Sequence, residues 1–430
     1  MENNRKKKDS RKMKTQNVKQ ITIRFRSNTE RYTIPEYHIN VDGSMTAVEL
    51  NTLVNNLMKD SMDVEGQVEF DFVICSQFLR TSLIEHITEM DISTEEIVVD
   101  CLEKHTPPEP KDCLIQDDWI STIALCGKWI LTGSYDNTLR IWDLENHAQR
   151  LVISAHARPV KAVAWISLDD EEAVFVSTSM GNDCMIWNWK IAENSANCVS
   201  VCKGHEGTVD TVSLNHDKTL MATGSWDKML YIWSASTQGE DEAGEPASKR
   251  SRGSHVNRTK TPLRAMKGHT HAVSGVVWSK KSEVITCSWD HTMKVWDTEM
   301  GHKKQEIHAE NSIFSVDYSP LSNMLLTGSA DGFVRLYDPR STEGAIMKTK
   351  FTSHKQWVAK VCWSTVDEHL FISGSYDSVV KMWDTRSSKT ALYDLVGHKD
   401  KILSLDWTNP EVILSGGADN TLRIFSTPGN

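Results

Sequence analysis

Apolar and polar residues alternate with a period of two in short runs along most of the chain, a pattern that predicts β-strands. In the first hundred residues Ile21, Ile23 and Phe25 alternate with Thr22 and Arg24, and Val68, Phe70, Phe72 and Ile74 alternate with Glu69, Asp71 and Val73. Both runs read as half-buried strands. Between them Leu50, Leu53, Val54 and Leu57 stand at i, i+3, i+4 and i+7, one face of a helix. Further strands are expected over residues 32–39 and 97–101. The order strand, strand, helix, strand, strand over residues 20–104 is that of an α+β ubiquitin-like (β-grasp) domain, with another α+β sandwich as the alternative.

Beyond residue 132 the alternation is cut into copies of one phrase: GSYDNTLRIWD (133–143), TSMGNDCMIWN (178–188), GSWDKMLYIWS (224–234), CSWDHTMKVWD (287–297), GSADGFVRLYD (328–338), GSYDSVVKMWD (374–384) and GGADNTLRIF (416–425). The turn residues are Asp136, Gly181, Asp227, Asp290, Asp331, Asp377 and Asp419, and six residues after each comes Trp142, Trp187, Trp233, Trp296, Tyr337, Trp383 or Phe425. Successive turns lie 45, 46, 63, 41, 46 and 42 residues apart, so five of the six intervals match a four-stranded propeller blade. Gly204-His205, Gly268-His269, Ser353-His354 and Gly397-His398 precede their blades, and Ala155-His156 is a near match. This is the WD-repeat signature, and it predicts an all-β, seven-bladed propeller.

The grammar implies a buried hydrogen-bond chain in which the turn Asp accepts from the His and a second-strand Ser links that His toward the Trp. The expected sets are His205, Ser225, Asp227 and Trp233; His269, Ser288, Asp290 and Trp296; and His354, Ser375, Asp377 and Trp383. Their recurrence marks them as structural rather than as a hydrolase triad. Between turn and aromatic, Leu139 and Ile141 alternate with Arg140, and Val273 and Val277 lead to Trp278, which supports strands. The last repeat stops at its third strand, so the missing fourth is expected from Cys113–Gln116, which would close the ring.

These boundaries divide the chain into a tail (1–19), the ubiquitin-like domain (20–104), a Pro-rich linker (105–112) and the propeller (113–430). The one long interval holds a polar insert, residues 235–262, read as a disordered loop with a basic KRSR cluster at 249–252.

Charge and composition narrow the function. The formal charge is −10, yet residues 1–20 carry eight Lys or Arg against two acids, leaving −16 for the rest. The basic tail reads as a nuclear address or an RNA-contacting arm, while the acidic body argues against RNA binding by the propeller. No membrane span or secretory leader is expected, since no run of 18 apolar residues occurs. The nine Cys are scattered without a CxxC and read as reduced thiols; Cys198, Cys202 and His205 are not expected to hold zinc. P-loop, HExxH, GxSxG and strand-linked GxGxxG motifs are missing, so neither an enzyme nor a cofactor is expected.

VEFDFVICSQFLRTSLIEHI, then ISTEEIVVD and a Pro-containing linker into DDWIS, resembles the Notchless-like (NLE) domain that precedes a WD propeller. Seven repeats, the insert and the chain length make the whole similar to the ribosome-biogenesis WD-repeat proteins of the Pescadillo and block-of-proliferation (PeBoW) complex. That resemblance implies a non-enzymatic assembly factor for the large (60S) ribosomal subunit, in the nucleolus and nucleoplasm. Its partners would be a Pescadillo homologue, the block-of-proliferation WD protein, the pre-60S particle and the AAA ATPase midasin. In this family an acid of the stretch matching ISTEE completes the Mg²⁺ site of the midasin MIDAS domain, which puts that role on Glu95, with Glu96 as the fallback. The competing class is a WD-repeat substrate receptor or peptide reader for a ubiquitin ligase or chromatin complex.

Overall fold

The computed structural model describes residues 20–27, 34–61, 67–92, 96–237, 258–341, 346–352 and 354–427. The chain divides into two compact units at His105/Thr106.

The first unit is a mixed sheet with two helices. Its elements are β1 (Gln20–Ser27), β2 (His38–Asp42), α1 (Ala47–Ser61), β3 (Phe70–Ile74), β4 (Gln77–Phe78), α2 (Leu83–Glu89) and β5 (Glu96–Glu103). The sheet order is β2-β1-β5-β3-β4, with β1 and β5 parallel and the other pairs antiparallel. Leu50 and Val54 of α1 pack fully buried against Ile23, Phe25 and Phe72. Two polar residues on the same helix fix the approach to β3: Asn55 bonds both the amide and the carbonyl of Val68, and Asn51 accepts the amide of Phe70.

Three expectations are corrected here. Among the described residues the second strand begins at His38 rather than Tyr32. Strand β3 is buried on both faces: the Asp71 carboxylate is neutralised by Arg80 at 2.9 Å, and Val73 stands beside its cross-strand partner Phe78 of β4. The short helix α2 went unforeseen, although Ser82 followed by Glu85 is a helix-start signal and the Glu85 carboxylate does accept the Ser82 amide at 3.2 Å.

The second unit holds seven sheets, which we number as blades in chain order. Their innermost strands are Ile120–Cys126, Val160–Leu168, Val209–Leu214, Val273–Lys280, Ile313–Ser319, Val358–Trp363 and Ile402–Asp406. Each lies beside the next, and the seventh returns to the first, so the sheets form a closed ring. Close approach between blades requires glycine: a Cβ on Gly224 would meet Val273 Cγ1 at 2.6 Å, and one on Gly416 would meet Ile120 Cγ2 at 2.7 Å. A carboxylate also spans the closing seam, with Asp406 accepting the Leu125 amide at 3.0 Å.

The ring is completed by β6 (Glu109–Ile115), which pairs antiparallel with the last strand, Thr421–Ser426, in register Leu114↔Leu422. The expected linker 105–112 is therefore shorter, because residues 109–112 already belong to this strand. The insert is also shorter than 235–262. Arg258–Lys260 pairs parallel with Ser195–Cys202 as a fifth strand of blade two, and the Lys260 ammonium donates to the Ser234 and Ser236 carbonyls. Residues 238–257, with the KRSR cluster, and the basic tail 1–19 lie outside the described residues.

Candidate interaction sites

Glu95 lies outside the described residues, while Glu96 opens β5. The Glu96 carboxylate stands 3.4 Å from Arg24 Nε and 3.4 Å from His38 Nδ1, so neighbours on the sheet already engage it.

In the propeller the polar chains form, but through a different hydroxyl from the one expected. In blade three His205 Nδ1 lies 2.7 Å from Asp227 Oδ2, and His205 Nε2 lies 2.8 Å from Thr223 Oγ1. The Trp233 indole N–H donates to that same Thr223 oxygen at 2.8 Å. Blade four repeats this with His269, Asp290, Thr286 and Trp296, and blade six with His354, Asp377, Ser373 and Trp383. Ser225, Ser288 and Ser375 are corrected as bridges. Each instead accepts the amide of its turn Asp, at 3.1, 3.1 and 3.2 Å. Strand register is the reason: Trp233 pairs with Met221 and Tyr231 with Thr223, so the indole reaches Thr223, whereas Ser225 sits at the strand end beside the turn.

The donors and acceptors in each chain match if Nδ1–H donates to the carboxylate. Nε2 then accepts the hydroxyl proton, and the hydroxyl oxygen receives the indole N–H. Burial alone would raise the Asp377 carboxyl, but the His354 hydrogen bond and the amides of Lys355 and Val379 outweigh it and hold it at about 2. With both nitrogens of His205 committed and Ser225 turned to the Asp amide, neither a zinc site nor a catalytic triad is assembled there.

The other blades show what happens when a member changes. In blade two, Gly181 replaces the Asp; His156 Nε2 still meets Ser177 at 2.7 Å, but its Nδ1 is buried without a partner. Burial drives this His down to about 4. In blade seven Phe425 replaces the Trp, and His398 still joins Asp419 to Ser415. Blades one and five bury an arginine on the third strand: Arg140 pairs with Asp136 and Asp117, and Arg335 with Asp331 and Glu310. Arg140 is thus buried, and in blade one Gln116 supplies the donor to Thr132.

The ring encloses a channel of about 1080 Å³. On its wall Lys161 pairs with Asp210 at 3.0 Å, and burial raises Asp317 to about 6 although it accepts the Trp363 amide. All nine cysteines are unpaired. Among the described residues no cluster of His, Cys, Asp or Glu has the makings of a metal site.

Fold and side-chain chains together define a WD-repeat propeller protein carrying a small α+β domain at its N-terminal side. Comparison with family models agrees: residues 21–87 match the NLE (NUC135) domain, and 115–143, 196–234, 260–297, 301–338, 346–384 and 389–426 match the WD domain, G-beta repeat. The unmatched stretch holds the first three strands of blade two, where Gly181 replaces the turn Asp. The chain is 46% identical over 409 residues to a Drosophila erecta protein named Ribosome biogenesis protein WDR12 homolog, spanning 95% of this chain and 96% of that one. The protein of the same name from Aedes aegypti is 42% identical over 410 residues, with the same two shares. The chain belongs to this family of ribosome biogenesis proteins.

Proposed function

We propose that this protein is a non-enzymatic assembly factor of the large (60S) ribosomal subunit, acting in pre-rRNA processing and maturation in the nucleolus and nucleoplasm. The observation that carries the reading is the end-to-end similarity to ribosome biogenesis proteins, which includes both units and not the repeats alone. The propeller is the scaffold. It meets the block-of-proliferation WD protein and, through it, a Pescadillo homologue on the pre-60S particle. The basic tail serves as nuclear address or RNA arm.

The N-terminal unit is read as a β-grasp domain held by the midasin MIDAS domain, whose ATP-driven pull releases the factor. The parallel β1–β5 pair beneath α1 supports that reading of the fold. A hard Mg²⁺ takes an oxygen ligand in trans, and Glu95 supplies it. The pairing of Glu96 with Arg24 and His38 favours Glu95 over its neighbour, since a ligand role for Glu96 would have to break both contacts.

The test is binding of the full chain to a midasin MIDAS domain, with Mg²⁺ or with EDTA. Binding is expected to need the metal, to be lost in Glu95→Ala and to persist in Glu96→Ala. Equal binding in EDTA, or normal binding by folded Glu95→Ala, would overturn the ligand assignment.

A further inference from the structure

The buried chains leave one set of aromatic residues unexplained. The residue just before the turn Asp is Tyr135, Trp226, Trp289 and Tyr376 in blades one, three, four and six, and none of these belongs to a His–Asp chain. With Phe314 and Trp357 the last three make a continuous string across four blades at one mouth of the channel. Ring centroids are 5.4 Å apart for Trp226–Trp289, 6.1 Å for Trp289–Phe314, 5.2 Å for Phe314–Trp357 and 5.5 Å for Trp357–Tyr376. Trp226 and Trp357 remain 43% and 48% exposed, which the core does not require of them. The Trp289 indole nitrogen is buried on the channel wall without an acceptor.

Beside the Trp357 end the charge is positive. Lys401 Nζ lies 5.3 Å from the Tyr376 ring centre. The Lys355 and Lys399 amides donate to Asp377 and Asp419, which anchors both residues at the same mouth. None of the three lysines forms an ion pair among the described residues, and Asp400 is the acid between them. Elsewhere Glu310 and Asp117 are neutralised by Arg335 and Arg140, and Asp210 on the channel wall by Lys161, while Asp118 and Glu206 pair with no cation among the described residues. A basic corner on a chain of net charge −10 is a local device.

We propose that this mouth, centred on Phe314, Trp357, Tyr376 and Lys401, docks an extended acidic segment of a partner protein. A bulky apolar side chain would seat on the Trp357–Tyr376 rings, flanking carboxylates would face Lys355, Lys399 and Lys401, and an oxygen would reach the Trp289 N–H. Rigid, half-exposed indoles beside free cations are the composition of an interface hot spot. A cationic ligand would meet the lysines. A nucleic-acid strand would need a cation for each phosphate and gaps between rings for its bases, and the rings already contact one another. The proposal does not depend on the assembly role or on Glu95.

The experiment places the photo-crosslinker p-benzoylphenylalanine at Trp357 in the full chain in cells and maps the captured segment. A control crosslinker goes at Val366, which is also exposed. The synthetic form of the mapped segment is then titrated against wild type, Trp357→Ala and Lys401→Glu, each checked for an unchanged melt. Expected are a segment with carboxylates within a few residues of a bulky apolar one, at least tenfold weaker binding by either variant, and recovery of Lys401→Glu when a facing carboxylate is changed to lysine. Crosslinks to RNA, to a second copy of the chain or to nothing would overturn the proposal, as would equal binding by the variants. Because Glu95→Ala leaves this mouth intact, the two assignments fail separately.

Discussion

A single hydroxyl decides whether three buried polar groups in a blade are satisfied. Thr223 receives the Trp233 N–H and gives its own proton to His205, so Thr223→Val strands two buried partners at once, whereas Ser225→Ala removes only a turn contact. Unsatisfied buried groups cost about 1–3 kcal/mol each, so Thr223→Val should lower stability by about 2–4 kcal/mol and Ser225→Ala by about 1 kcal/mol in urea titrations of the full chain. Equal losses would mean that Ser225 bridges after all. His156 provides a pH signature. Its folded value near 4 lies below the ordinary 6.5, so the unfolded chain binds more protons between those limits, and His156 takes stability away as pH falls from about 6.5 towards 4. His156→Gln should flatten that part of the stability curve. Gly181→Asp, which restores the missing acceptor at the cost of a Cβ 3.2 Å from Ser179 Oγ and 3.3 Å from the movable Arg158 Cγ, should raise the His156 pKa, read by NMR titration. The repeat grammar made the His, Asp and Trp legible at this scale. It did not identify the bridging hydroxyl, because two hydroxyl residues stand two apart on one strand and only cross-strand register separates them.

At the scale of elements, strand existence followed from local alternation, whereas the burial of individual charges did not. Arg140 and Arg335 occupy polar-looking positions yet lie inside, because each is paired with two carboxylates that come from its own turn and from the chain before its blade. The closing strand was visible as the apolar pair Cys113-Leu114, but its start at Glu109 was hidden behind three prolines that read as linker. The reason is that an outermost strand needs a partner on one side only, so Pro110 is tolerated there. A chain beginning at Thr106 should therefore remain a soluble propeller, while one beginning at Gln116 leaves Thr421–Ser426 as an open edge. The shorter chain is expected to melt several degrees lower or to aggregate, as followed by circular dichroism and light scattering. Equal melting of the two would show that β6 does not close the ring.

At the scale of the molecule, the first compact unit has one core of its own, while the second buries separate apolar clusters within and between its blades. Two compact units with separate apolar interiors depart from two-state behaviour. Calorimetry of the full chain is expected to resolve two transitions, and deletion of residues 1–104 should remove one and leave the other in place. The sequence by itself determined the repeat period, the number of blades, the strand, strand, helix, strand opening of the first unit and its kinship, because each is written within a few residues or recurs at a fixed interval. Only the tertiary structure decided which hydroxyl bridges, which arginines are buried and which aromatics gather at the channel mouth. Those depend on strand register and on ring closure, which bring together residues as far apart as Leu125 and Asp406, and no local pattern records such a meeting.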